Sequence, residues 1–266
     1  MAKIAVAATG EFGADILERL AGEHEVVQLF TRPDKPAGRG RKVAASPAKE
    51  VAGRLGIHFE QPAKLDDGID VTAPTVVVCD YGLLVPNVLL ERALWLNVHP
   101  SLLPRWRGAA PVERTILAGD TETGVTIHET VEALDAGPIA AQRAFPIGPD
   151  DDAGAVYNRA AALAVELLRD VLADPHFEPQ SAEGATYAEK ITPADRKLDP
   201  GAPAQELVNR VRALSPHIGA RLSLPDSGDL LVWRARVGED GAFEPLEVQP
   251  AGGKRMPYDA YLRGRR

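Results

Sequence analysis

The apolar run Lys3-Ile4-Ala5-Val6-Ala7-Ala8 leads straight into Thr9-Gly10-Glu11-Phe12-Gly13 and then into apolar residues at Ile16, Leu17 and Leu20. No other feature constrains the fold as much. A continuous apolar run reads as a strand covered on both faces, and the spacing after the glycine turn starts an amphipathic helix. A second run, Glu25-Val26-Val27-Gln28-Leu29-Phe30-Thr31, reads as the next strand. A strand, a helix and a strand in that order form a right-handed crossover with parallel strands. The pattern continues through a helix from Pro47 to Leu55, a strand from Thr75 to Cys79, a helix from Asn87 to Ala93 and a strand carrying Asn97 and His99. This predicts an α/β, Rossmann-like parallel-sheet domain. Gly10-Glu11-Phe12-Gly13 lacks the three-glycine spacing of a dinucleotide fingerprint, so no nicotinamide or flavin is expected.

Further along, a helix from Ala110 to Leu117 and an alternating strand from Gly124 to Glu129 precede a long helix from Asp152 to Ala173. That helix sets Val156, Ala160, Leu163, Leu167 and Val171 on one face. Pro175, Pro179 and Gly184 then break the periodicity, and beyond them lie a helix from Ala204 to Leu214 and short alternating runs at Ala220 to Leu224, Leu230 to Val237 and Phe243 to Pro250. The division predicted for these 266 residues is a first domain over 1–176, a linker over 177–200 and a small, shortened β-rich, barrel-like domain over 201–266. No stretch approaches the roughly 20 apolar residues of a membrane span, and Met1-Ala2-Lys3 enters a strand without a secretory pattern, so a soluble cytoplasmic protein is expected. The single cysteine, Cys79, sits in an apolar run and reads as a buried, inert thiol. No histidines stand at metal spacing, so no metal is expected.

A formal net charge of -8 argues against general affinity for nucleic acid. The charge is unevenly placed, however. Arg32, Lys35, Arg39, Arg41, Lys42 and Lys49 face only Asp34 between positions 32 and 49, and Lys254, Arg255, Arg263, Arg265 and Arg266 gather near the end of the chain. Two basic islands on an acidic body can steer a polyanion to one face, or can simply be solvated.

The chemistry concentrates in Leu96-Asn97-Val98-His99-Pro100-Ser101-Leu102-Leu103-Pro104 and in the later Leu134-Asp135-Ala136-Gly137-Pro138. Strand alternation points Asn97 and His99 to one face and Val98 to the other. An amide beside an imidazole suits acyl transfer: one stabilises a developing oxyanion and the other moves the proton of an attacking amine. A carboxylate at Asp135 would favour the imidazolium and raise the pKa of His99; it could equally cap the turn that follows it. An Asn-x-His pair taken alone is more readily a hydrogen-bonded structural pair. His24, His58, His128, His176 and His217 read as structural or surface residues, and Trp95 and Trp233 as core. Trp106, between two arginines, reads as a loop residue near substrate.

These residues together resemble the formyltransferases that use 10-formyltetrahydrofolate, whose signature is Asn-x-His-x-Ser-Leu-Leu-Pro with an Asp in a later Leu-Asp-x-Gly turn. The run Ser101-Leu102-Leu103-Pro104-Arg105-Trp106-Arg107-Gly108-Ala109-Ala110-Pro111 is similar to the methionyl-tRNA formyltransferase branch in particular. The resemblance implies catalytic roles for Asn97, His99 and Asp135, and folate contacts, largely through backbone groups, for Ser101, Leu102, Leu103 and Pro104. It also implies tRNA contacts from a loop carrying Arg39, Arg41 and Lys42, with 10-formyltetrahydrofolate as co-substrate and initiator methionyl-tRNA as partner of a monomeric enzyme. The β-rich C-terminal part is then a small barrel that helps to hold tRNA. Two other functions share part of this pattern. A transferase acting on a small amine, such as glycinamide ribonucleotide or an amino-sugar nucleotide, has no need of the basic loop, and a non-catalytic RNA-binding module has no need of the triad.

The chain departs from the family pattern in three places. Ala8-Thr9-Gly10-Glu11-Phe12-Gly13 replaces the usual Gly-Thr-Pro-x-Phe-Ala, and Asp80 stands where a small apolar residue is usual. Val131 and Ala133 replace the common Asp and Gly, and the stretch from Val237 to Glu247 reads as lacking a strand pair.

Overall fold

The computed structural model describes residues 1–37, 42–224 and 228–264. In the first half of the chain the elements are β1 (Lys3–Ala8), α1 (Glu11–Ala21), β2 (Glu25–Phe30), β3 (Lys35–Ala37), β4 (Lys42–Ala44), α2 (Pro47–Leu55), β5 (Phe59–Glu60), β6 (Thr75–Cys79), α3 (Asn87–Leu90), β7 (Leu94–His99), β8 (Arg107–Gly108), α4 (Pro111–Leu117) and β9 (Glu122–Glu129). They are followed by β10 (Ile139–Pro146), α5 (Ala153–Ala173), β11 (Tyr187–Ala188), α6 (Ala204–Leu214), β12 (Ala220–Leu224), β13 (Gly228–Val237), β14 (Phe243–Pro250), β15 (Met256–Pro257) and α7 (Tyr258–Arg263). The expected helix from Asn87 to Ala93 is a single turn, after which Arg92 N–H bonds the Leu89 carbonyl in a tighter turn.

Seven strands form one sheet in the order β10-β9-β7-β6-β1-β2-β5. β1 pairs in parallel with β2 and β6, β2 with β5, and β6 with β7, which is the expected crossover architecture. The sheet is not parallel throughout: β9 runs antiparallel to β7, with Asn97 opposite His128 and His99 opposite Thr126. The strand expected over Gly124 to Glu129 is thus β9, whereas its antiparallel direction and the edge strand β10 are not part of the sequence expectation. Central strands such as β6 are buried along nearly their whole length, as helices on both faces require. Phe30 and Trp95 stack in the core with ring centroids 6.3 Å apart, and the Trp95 indole N–H donates to the Leu89 carbonyl at 2.9 Å. Cys79 is buried, and burial pushes its thiol pKa up, so it stays protonated.

The chain packs as two compact units that do not divide at one linker. The first comprises Met1–Arg107, Gly124–Ala144 and Asn158–Thr186; the second comprises Gly108–Thr123, Phe145–Tyr157 and Tyr187–Arg266. The predicted boundaries at 176 and 200 therefore do not coincide with packing, because α4 and the start of α5 join α6 in the second unit's core. That unit carries an antiparallel sheet in the order β12-β13-β14-β15, open among the described residues and not a closed barrel. The stretch that reads as lacking strands is a hairpin: Gly238 N–H donates to the Ala242 carbonyl at 2.8 Å and joins β13 directly to β14. Leu207, Val211, Leu214, Leu230, Val232 and Val248 form the core beneath it.

The basic segment contains a hairpin, with β3 antiparallel to β4 and Ala37 opposite Lys42. Lys42 thus opens a strand, while Arg39 and Arg41 lie outside the described residues. No helix is long and apolar enough to cross a membrane among the described residues.

Candidate active site

β7 ends at the carboxyl edge of the sheet, where ligands of such folds collect. Its alternation behaves as expected: Val98 is buried on one side, and Asn97 and His99 meet the same carboxylate on the other. Asn97 Nδ2 donates to Asp135 Oδ1 at 3.1 Å, and His99 Nδ1 stands 3.7 Å from Asp135 Oδ2. The second distance is beyond a hydrogen bond but short for a charge interaction in a buried place.

His128 joins them, although its place in the sequence reads as structural or surface. It faces Asn97 across the β7–β9 pair, and cross-strand partners share a face. Its Nδ1–H donates to the Glu129 carbonyl at 2.9 Å, so Nε2 keeps a lone pair and accepts from Asn97 Nδ2 at 3.0 Å. Both Nδ2 hydrogens of Asn97 are then engaged in the free protein, and Oδ1 is the end of the amide left to meet a substrate. For Asn97 to donate to an oxyanion, one of those bonds must be exchanged.

His99 is 4% exposed, and its Nε2–H donates to the Trp106 carbonyl at 2.8 Å. Burial lowers its pKa, outweighing the raising effects of the Asp135 charge and the Trp106 hydrogen bond. The expectation of a raised pKa is therefore corrected: loss of solvation costs the imidazolium more than one carboxylate returns. The resting ring is neutral, with its Nδ1 lone pair on the side of Asp135.

Two residues flanking His99 have left-handed backbones, Trp106 at φ 65° and Asp135 at φ 48°. For a Trp this costs on the order of 1–2 kcal/mol and persists only where neighbours hold it. Trp106 N–H donates to Thr186 Oγ1 at 2.9 Å, and the Arg105 guanidinium lies 4.4 Å from the centre of its ring. The turn after Asp135 needs Gly137, because a Cβ there would overlap the Glu129 carbonyl oxygen.

Much of the backbone of Ser101 to Pro104 is engaged within the protein. Ser101 N–H and Oγ bind the His99 and Arg105 carbonyls, and Thr126 Oγ1 donates to the Ser101 carbonyl at 2.7 Å and accepts from Leu103 N–H at 3.2 Å. The Leu103 carbonyl accepts from Gln142 at 2.9 Å, and the Leu102 and Pro104 carbonyls are also taken. Leu102 and Pro104 are half-buried, so the segment also presents apolar side-chain surface.

The departures at Gly10, Gly13 and Asp80 are one coupled feature. The Asp80 carboxylate accepts from the N–H groups of Thr9 at 3.2 Å, Gly10 at 3.0 Å and Gly13 at 3.3 Å, at the start of α1. A Cβ at Gly10 would come 2.5 Å from one carboxylate oxygen, and one at Gly13 would come 2.7 Å from the other. Gly10 makes space that Asp80 occupies, while at Gly13 the Ala8 Cβ at 2.7 Å and the Cys79 carbonyl oxygen at 2.8 Å exclude a side chain as strongly as Asp80 does. Among the described residues no group of three His, Cys, Asp or Glu could hold a metal ion.

The formyl transferase family model matches residues 2–172. The methionyl-tRNA formyltransferase of Halorhodospira halophila is 40% identical over 301 residues, covering 100% of this chain and 97% of that protein. The methionyl-tRNA formyltransferase of Aromatoleum aromaticum is 41% identical over 297 residues, covering 98% and 94%. Among solved structures, the N-formyltransferase of Helicobacter canadensis, in complex with folinic acid and dTDP-3-aminofucose, has a TM-score of 0.68 at 18% identity, covering 97% of this chain and 99% of that one. HypX of Aquifex aeolicus in complex with tetrahydrofolic acid has a TM-score of 0.69 at 18% identity; 98% of this chain is covered, but it spans only 47% of the HypX chain. At such identities the likeness is one of fold. With the family model over most of the chain and relatives of about 40% identity along its full length, the chain belongs to the formyltransferase family, among the methionyl-tRNA formyltransferases.

Proposed function

We propose that this protein transfers the formyl group of 10-formyltetrahydrofolate to the amino group of initiator methionyl-tRNA, giving N-formylmethionyl-tRNA for translation initiation in the cytoplasm. The observation that carries the choice of acceptor is the reach of the likeness. It runs from the formyltransferase segment through the C-terminal sheet to the end of the chain, against relatives named for that acceptor.

The site's chemistry fits a formamide donor and an amine acceptor, with the Asn97 carboxamide 3.1 Å and the His99 imidazole 3.7 Å from the Asp135 carboxylate. The folate supplies an activated formyl carbon when bound; Leu102 and Pro104 would contact it as apolar surface, with Ser101 and Leu103 as their buried support. Asn97 Oδ1 accepts a hydrogen from the attacking amine and orients its lone pair, and an Nδ2 hydrogen released from Asp135 donates to the formyl oxygen as charge grows there. His99, neutral at rest, accepts the amine proton at Nδ1, and Asp135 stabilises the imidazolium so formed. The same proton passes from His99 to the folate nitrogen as its bond to the formyl carbon breaks. Arg39, Arg41 and Lys42 are assigned to the tRNA acceptor end, and one protomer is taken as sufficient.

The test is a comparison of acceptors: initiator methionyl-tRNA, elongator methionyl-tRNA and glycinamide ribonucleotide, each with 10-formyltetrahydrofolate. Formyl product on the initiator tRNA alone is expected. Product only on the small amine moves the protein to a sibling transferase, and product on none leaves the RNA-binding reading.

A further inference from the structure

The family model ends at residue 172, and the chain just beyond it reads from sequence as a linker. In the structure this stretch is tied to both arms of the candidate catalytic pair. Glu178 exchanges two backbone hydrogen bonds with Ile139, at 2.8 and 2.9 Å. Gln180 Nε2 donates to the carbonyls of Asp135 at 3.1 Å and Gly137 at 3.0 Å. Its Oε1 accepts from Arg107 Nε at 2.8 Å and also from Nη2. Arg107 follows Trp106, whose carbonyl receives the His99 Nε2–H. Thr186 completes the second arm, its carbonyl accepting from Arg107 N–H at 2.9 Å and its hydroxyl from Trp106 N–H at 2.9 Å.

Three hydrogen bonds, the chain itself and one charge contact form a closed ring: His99 to Trp106, along the chain to Arg107, across to Gln180, back to the Asp135 backbone, and from its carboxylate over 3.7 Å to His99 again. We propose that Gln180 is a positioning residue for formyl transfer, holding the Asp135 turn and the Trp106–Arg107 backbone at a fixed separation so that carboxylate and imidazole keep their registry. The two arms it joins carry the left-handed residues Asp135 and Trp106, conformations that relax unless the surroundings over-determine them. A primary amide suits the position because its two N–H groups serve two carbonyls while its oxygen serves a guanidinium. Glutamate would keep the guanidinium partner but set a charge against two carbonyl oxygens. The proposal rests on the formyltransferase reading for its kinetic consequence, although the geometry it asserts can be tested without substrate.

The experiment compares Gln180→Ala and Gln180→Glu with wild type, reading the ring nitrogen shifts of His99 by NMR in the free protein, kcat and KM for both substrates, and Tm. Displaced His99 signals in both variants are expected, with kcat lowered about tenfold or more and each KM within about twofold, the signature of lost alignment with binding intact. Gln180→Glu keeps the Arg107 pair and remains readable should Gln180→Ala fail to fold. Unchanged His99 signals overturn the proposal, as does a kcat within about twofold of wild type whatever happens to Tm, or full rescue by Gln180→Glu. If the wild type formylates no acceptor the functional reading fails, while the His99 signals still decide the positioning claim.

Discussion

His99 Nδ1 and Asp135 Oδ2 face each other at 3.7 Å in a nearly dry place, with the imidazole neutral because burial outweighs the carboxylate's pull. In the proposed mechanism this pair receives a proton during reaction and releases it again. A carboxylate that cannot keep the ring charged at rest still lowers the cost of charging it briefly.

Replacing the carboxylate tests this. In Asp135→Asn the pKa of His99 falls further, since the largest raising influence on it is removed. With His99 as the proposed proton acceptor, acting in its neutral form, the acid limb of kcat/KM is expected to move to lower pH, while kcat falls about 100-fold or more for want of imidazolium stabilisation. A pH–rate profile with formylated tRNA as readout checks both. An acid limb displaced toward higher pH would reject His99 as the proton acceptor.

His128→Ala leaves Asn97 with one partner in place of two, because the Nε2 acceptor at 3.0 Å is lost. A loss of about 1–3 kcal/mol of stability is expected from the unpaired N–H. A fall of about tenfold in kcat should accompany it as the amide turns. Denaturant unfolding and steady-state kinetics measure the two separately; unaltered kcat would confine His128 to a supporting role.

The coupling of Gly10 to Asp80 is measurable by a double-mutant cycle. Gly10→Ala should cost about 1–3 kcal/mol in the wild-type background, where the new methyl meets an anchored carboxylate, and close to nothing in Asp80→Ala. Urea unfolding gives the four stabilities. A cost that persists without Asp80 would mean that another atom sets the limit at Gly10.

Asp195 accepts from Arg114 at 2.9 Å and from Thr192, and these bonds lower its pKa from 3.8 to about 2. A depressed carboxylate pKa stabilises the folded state above the unfolded value and ceases to do so as pH falls through the folded one. The Tm difference between wild type and Arg114→Ala should therefore be full above 3.8 and shrink as pH approaches 2. Calorimetry across that interval tests it, and a difference independent of pH would assign the loss to packing alone.

The local patterns were enough for much of this protein. Apolar runs and helical spacing place β1, α2, β6, α6, β12 and β14 within a residue or so, because each is specified by side chains a few positions apart and by caps such as Ser46, which accepts from Lys49 N–H. The alternation that puts Asn97 and His99 on one face is likewise a property of a single strand. What those patterns could not supply was pairing. His128 and Thr126 share a face by their own alternation, but only the antiparallel register of β9 against β7 sets His128 opposite Asn97 and Thr126 opposite His99.

The sequence by itself determined the kinds of element, the family signature and the three polar groups that meet near the end of β7. Tertiary structure decided their state and support: that His99 is neutral, that Thr126 binds the Ser101 carbonyl, that Asp80 fills the space beside Gly10, and that Gln180 bridges the two arms of the pair. The physical reason is range. Propensity and periodicity act over a few residues, whereas desolvation, register and a hydrogen bond between positions 45 apart, as from Gln180 to Asp135, exist only once distant segments are packed together.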